Sequence, residues 1–144
     1  MPLVTVELHG DAALVGALDK LSSENRRAVT DRALLEAGEY VLGNIHKHHR
    51  SSRLRRFMRP RIWHGERGRT SVNIATPKRE TLGISPDDPY YWPAAYNFGH
   101  KRADGTKVEG AHFMERGYDE SEAVVADQID ELIWEQIEEI WSGE

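Results

Sequence analysis

Val29, Ala33 or Leu34, Ala37, Val41 and Ile45 recur at intervals of three and four residues, and nothing else in the chain constrains its fold as strongly. That spacing places the side chains on one face of an α-helix, a face that must be buried against something else. Ala37 and the adjacent Gly38 leave room for another element to come close. A second stripe of the same kind, Val125, Ile129, Leu132 or Ile133, Ile137 and Ile140, predicts a C-terminal helix from about Glu115 or Asp119 to Trp141. Two long one-sided helices call for each other, or for a sheet.

The sequence supplies the strands. Residues 2–8 alternate, with Val4, Val6 and Leu8 on one face and Leu3, Thr5 and Glu7 on the other. Asp11 offers an N-cap for a short helix carrying Leu14, Leu18 and Leu21 on one side, and Ser22-Ser23-Glu24 separates it from the long helix. Residues 51–60 read as a mobile basic loop ending at Pro60. Arg61–His64 and Arg69–Ala75 flank Gly65-Glu66-Arg67-Gly68 as a β-hairpin. Pro77, Gly83, Pro86 and Pro89 make Lys78–Pro89 irregular. An aromatic segment, Tyr90–Phe98, is followed by a polar loop at about 101–107, then a strand over Val108–Met114. The fold class is therefore α+β: a small antiparallel sheet packed against two long helices, in one 144-residue domain.

Composition narrows the function classes. The chain has no cysteine, which excludes disulfides and thiolate metal sites. No apolar run approaches the ~20 residues of a membrane span, and Met1–Glu7 lacks the basic start and apolar stretch of a signal peptide. Synthesis in the cytoplasm is expected. The net charge of -5 conceals an asymmetry. Between Lys47 and Arg79, eleven cations, including Arg50, Arg53, Arg55, Arg56, Arg59 and Arg61, face Glu66 alone. From Glu115 onward eleven carboxylates face Arg116 alone. Such a molecule can pair head-to-tail with copies of itself, or the two segments can neutralise each other within one subunit.

No catalytic arrangement stands out. Gly-x-Ser-x-Gly, His-Glu-x-x-His, a phosphate-binding loop and a dinucleotide fingerprint are all missing from the sequence. His46 and His49 lie one helical turn apart, yet no nearby Asp or Glu supplies a third ligand, and Lys47 and Arg50 repel a cation. The favoured reading is a solvated helix end whose partly charged histidines complement the helix dipole. Asp87-Asp88 read as turn formers. Neither a metal nor a cofactor is expected. Arg53, Arg55 and Arg56 beside Phe57 and Trp63 have the makings of a phosphate-and-base surface, but the pI of about 5.8 is that of an acidic protein. A basic loop that orders on an acidic protein partner is the competing reading.

Ala95-Tyr96-Asn97-Phe98-Gly99-His100-Lys101, then Gly105, then Val108-Glu109-Gly110-Ala111-His112-Phe113-Met114, resembles the signature of the phage proteins similar to gene product 10 of phage HK97. Where members of that family commonly carry Val-Glu, this chain has Tyr96-Asn97, and His112-Phe113-Met114-Glu115-Arg116-Gly117 stands where many have Pro-Phe-Leu-Arg-Pro-Ala. The order of elements is also similar over nearly the whole chain. The resemblance implies a non-enzymatic head–tail connector or tail-completion component. It would be made in the bacterial host cytoplasm and end in the virion. It would assemble as a ring with copies of itself and with other neck or tail proteins, without a membrane. The rival is a nucleic-acid-binding protein using the Arg50–Arg69 band, or transient contact with DNA passing a channel. Candidate interface residues are Arg53, Arg55, Arg56, Phe57, Tyr96, Phe98, Gly99, His100, Lys101, Arg102 and Phe113. In this scheme Phe98 and Phe113 pin the flanking segments to the core, Gly99 and Gly110 permit unusual backbone geometry, and Lys101–Lys107 projects toward a neighbour.

Overall fold

The stripe at residues 29–45 is the buried side of α2 (Ser23–His46), and in the computed structural model both Ala33 and Leu34 lie inside, fully covered. The structure describes residues 2–7, 12–65 and 69–143. Leu8, the Asp11 N-cap and the Glu66-Arg67-Gly68 part of the hairpin turn lie outside the described residues. Ser22 caps α2, its side chain accepting from Asn25 N at 3.1 Å.

The α+β architecture holds. The order is β1 (Leu3–Glu7), α1 (Ala12–Asp19), α2, α3 (Ser52–Phe57), β2 (Arg61–His64), β3 (Thr70–Ala75), α4 (Arg79–Leu82), α5 (Trp92–Phe98), β4 (Gly99–Lys101), β5 (Lys107–Glu109) and α6 (Phe113–Ser142). Strands β1, β3 and β2 form an antiparallel sheet with β3 in the middle, so β1 is an edge strand. Val4 and Val6 point inward, Leu3, Thr5 and Glu7 outward, as the alternation predicts. β4 and β5 make a separate two-stranded ribbon. The core joins Val4, Val6, Val72 and Ile74 of the sheet to the α2 stripe and to Val125, Ile129, Ile133 and Ile137 of α6.

Two glycines set how closely the layers pack. A Cβ on Gly38 would stand 2.8 Å from Pro60 Cβ and 2.9 Å from Val72 Cγ2. On Gly117 it would stand 2.6 Å from both N and Cα of Ile45, so the α2 and α6 backbones meet there. Just beyond, Asn44 Nδ2 donates to Ser121 Oγ at 2.8 Å, and Ser121 Oγ donates to Gly117 O at 2.7 Å, all buried. Because every buried polar group needs a partner, this pair fixes the register of the two helices as well as their spacing.

Four expectations are corrected. Residues 51–60 are not a loop: Ser51 caps α3 by accepting from Leu54 N at 3.1 Å. Leu54 and Met58, four residues apart, are both fully buried, and that apolar pair was masked in the sequence by the surrounding arginines. Lys78–Pro89 contains the single turn α4, closed by Gly83 at φ 72°. The aromatic segment, which carries no element type in the sequence, is helical from Trp92, with Pro93 in its first turn, where a missing N–H costs nothing. The strand expected over 108–114 ends at Glu109, and α6 begins at Phe113, earlier than its apolar stripe indicates.

Candidate interaction surface

Asn97 explains why α6 starts where it does. His112, at the helix N-cap with φ 50°, provides no side-chain cap. The fully buried Asn97 does so from another helix: its Oδ1 accepts from Met114 N at 3.1 Å, and its Nδ2 donates to Glu115 Oε1 at 3.0 Å. Its backbone helps as well. Ala111 N donates to Tyr96 O at 2.8 Å and His112 N to Asn97 O at 2.9 Å. The chain entering the β4–β5 ribbon is thus stitched to the chain leaving it. Gly110 sits in the stitch, where a Cβ would lie 2.3 Å from Asn97 O, so it is required for space; Gly99, at φ 89°, is required for conformation as well.

From this base the ribbon projects. Arg102 N donates to Thr106 O at 2.8 Å, Gly105 takes φ 88°, and Thr106 N donates to Asp104 Oδ1 at 2.9 Å, giving a compact turn. That carboxylate is held below its usual range mainly by its hydrogen bonds with Thr106. His100, Lys101, Arg102 and Lys107 are exposed.

The two phenylalanines of the signature have opposite fates. Phe113 is fully buried, in edge contact with Tyr96 at 5.4 Å and His49 at 5.2 Å. Phe98 is 57% exposed and does not pin the segment to the core. The pinning is done by Asn97 next to it, whose amide turns inward and leaves Phe98 on the outer side of α5. Tyr96 is half-buried, and its hydroxyl accepts from Arg50 N at 3.0 Å.

His49 is likewise not the solvated, partly charged histidine expected. It is 4% exposed. Its Nδ1 accepts from Ser51 N at 3.0 Å. The ring proton therefore sits on Nε2, which faces His46 Nδ1 at 2.7 Å and donates to it. Burial first, then the His46 ring and the Arg55 guanidinium, push the His49 pKa down to about 4. Burial, with Arg55 and Arg59, lowers that of His46 too. Protonation of His49 would bring a second donor against Ser51 N.

Between about pH 6.5 and 4 the unfolded chain therefore binds a proton that the folded chain refuses. Stability is full above that window and falls as the pH drops through it, by roughly 3–3.5 kcal/mol at ~1.4 kcal/mol per pKa unit. Urea unfolding at pH 7 and pH 5 should show the loss. His49→Asn, whose Oδ1 can still accept from Ser51, should flatten it, and an unchanged slope would refute the assignment.

The arginine cluster is largely occupied. Arg55 Nη2 donates to His46 O at 2.7 Å at the C-terminus of α2, where a cation is favoured. Arg59 Nη1 donates to Met58 O at 2.6 Å. Arg53 donates to Leu82 O and lies 6.0 Å from the Trp92 ring centre. Arg56 stacks on the half-buried Phe57 at 5.3 Å. Arg53 and Arg55 thereby bind α3 to α4 and to the end of α2. His48 Nε2 reaches Glu120 Oε1 at 2.7 Å, tying the basic stretch to acidic α6.

His64 Nε2 lies 3.3 Å from Asp31 Oδ2, and its Nδ1 lies 3.4 Å from Thr70 Oγ1. Arg27 Nε approaches the same Nε2 at 3.4 Å, so the guanidinium and the Asp31 carboxylate share one ring nitrogen. Among the described residues no three His, Asp or Glu side chains are grouped to hold a metal ion. Asp88 does act as a turn former, Oδ1 accepting from Tyr90 N at 2.9 Å.

No family model matches the sequence, and comparison with curated proteins and with solved structures gives no match. Sequence reasoning missed Asn97, Leu54, Met58 and the Asn44–Ser121 pair. Only Asn97 left a signal, as a lone amide inside an aromatic run directly before the Phe98-Gly99 step.

Proposed function

We propose that this chain is a structural subunit of a phage or prophage particle, working at the head–tail junction or tail end by assembling into a ring with copies of itself and contacting other neck or tail proteins. The observation that carries the proposal is the construction of the 96–114 segment. A buried amide and two backbone hydrogen bonds rigidify the base of an exposed basic ribbon, while the aromatic Phe98 faces outward. A rigid base under an exposed ribbon suits a contact with another protein, since little ordering entropy remains to be lost on binding. The resemblance of the same segment to the HK97 gene product 10 family supports the same reading. So does the complementarity between the exposed ribbon cations Lys101, Arg102 and Lys107 and the acidic α6.

The rival, a nucleic-acid surface over Arg50–Arg69, is less favoured because Arg53, Arg55 and Arg59 are committed to backbone carbonyls. Light scattering with negative-stain imaging tests the proposal. Rings, and their loss when Arg102–Thr106 is deleted from a still-folded chain, are expected. A protein that stays monomeric and binds duplex DNA with strong salt dependence would overturn it in favour of the rival.

A further inference from the structure

Along the outer side of β1 runs a groove that the fold leaves open. Its first part, about 330 Å³, lies between Leu3 and Thr5 on one side and Phe98, Met114 and Tyr118 on the other. Its second part, about 380 Å³, continues from Thr5 and Tyr118 toward Val125 and Ile129. Thr5 and Tyr118 line both, so the two parts adjoin and together make up the channel between β1 and α6.

Three properties of the channel define what it accepts. The first is hydrogen bonding. Thr76 N donates to Pro2 O at 3.3 Å, and with the register Val4↔Ile74 and Val6↔Val72 the alternation of an antiparallel ladder directs those residues' backbone groups to β3. The N–H and C=O of Leu3 and Thr5 therefore point away from β3, at the open edge of the sheet. The second is apolar surface: Leu3 is 56% exposed and Phe98 57%. The third is charge. Glu115, Asp119 and Glu122, spaced on one face of α6, form the rim opposite β1, and no lysine or arginine is among the described lining residues. An extended, basic segment with a free strand edge of its own meets all three conditions.

This chain carries such a segment. Among the described residues the β4–β5 ribbon has two strands, each with an open edge, and Lys101, Arg102 and Lys107 are exposed on it. We infer that the channel receives the β4–β5 ribbon of a second copy, which extends the β1–β3–β2 sheet across the subunit boundary and sets its cations against the α6 rim. Strands of three residues span ~10 Å at ~3.3 Å per residue, within the length of the five-residue β1. Donor and acceptor surfaces differ, so every subunit gives and receives once, and the contact propagates head-to-tail until it closes. This inference rests on the self-assembly proposed above and names the surfaces that perform it.

The absence of cysteine makes the test direct. Full-length Leu3→Cys and Lys107→Cys proteins are mixed and oxidised, and heterodimeric disulfide is expected in several-fold excess over either homodimer. The double variant Asp119→Lys/Glu122→Lys in the Leu3→Cys protein should abolish that excess. Adding Lys101→Glu/Arg102→Glu to the Lys107→Cys partner should restore it. Glu115 is left intact because it holds Asn97. If unmodified protein forms oligomers by light scattering but the cross-link shows no preference and no charge dependence, this contact is wrong while self-assembly stands. Should the protein remain monomeric and uncross-linked at every concentration, both fall.

Discussion

Gly117→Ala is expected to be among the most damaging single-methyl additions to this protein. The new Cβ would lie 2.4 Å from Ile45 Cγ1 and 2.6 Å from Ile45 N and Cα. A side-chain end can rotate away, but a helix backbone cannot, so α2 and α6 would have to separate along their length. Separation would also stretch the Asn44–Ser121 hydrogen bond and loosen the core between the two stripes. Overpacking ordinarily costs ~1–3 kcal/mol, and here the loss should reach or exceed ~3 kcal/mol, visible as a much lower urea midpoint or as failure to fold. Gly43→Ala is the matching control. It lies on α2, the helix that faces Gly117, with nothing within 4 Å of an added Cβ, and should stabilise by roughly 0.5–1 kcal/mol through helix propensity alone. Equal effects from the two substitutions would show that the helices are not in backbone contact at Gly117.

Phe113→Ala should cost about 3–5 kcal/mol, the usual range for emptying a fully buried phenylalanine site. Its ring also closes the pocket around His49. A second readout follows: with the ring gone, water reaches His49, its pKa returns toward the ordinary value, and the loss of stability between pH 6.5 and 4 becomes shallower. Phe98→Ala, in the same sequence motif, should change stability by no more than ~0.5 kcal/mol, because its ring is mostly in water. Calorimetric or urea unfolding of both variants at two pH values would distinguish them. A Phe113 variant with an unaltered pH slope would mean that the ring does not shield His49.

What the sequence disclosed divides along the range of the interactions involved. The α2 and α6 stripes were legible because a repeat of 3.6 residues is a local property, written out in Val29, Ala37, Val41 and Ile45. β1 and the β2–β3 hairpin were legible for the same reason. The misread segments depend on partners far along the chain. α3 is held by only Leu54 and Met58, too few to make a periodic pattern, and by an arginine reaching back to the end of α2. The α6 start depends on Asn97, seventeen residues before the Met114 N–H that it caps, a separation no local rule bridges. Phe98 and Phe113 have equal hydrophobicity, and only their placement on α5 and α6 decides which one is buried. His49 looks solvated in His46-Lys47-His48-His49, yet the chain bends there toward Ser51 and covers it.

The stitch between Tyr96–Asn97 and Ala111–His112 has a practical consequence. Whatever is carried between those two points is an excursion with its ends already joined, so its length is nearly independent of the stability of the body. Closing a longer loop costs only ~0.6 kcal/mol per doubling. An epitope or a fluorophore-binding peptide inserted after Gly105 would therefore leave α5, α6 and the core in place. It would carry the label to the outermost point of the ribbon, and so serve as a reporter of where neighbouring molecules come to rest.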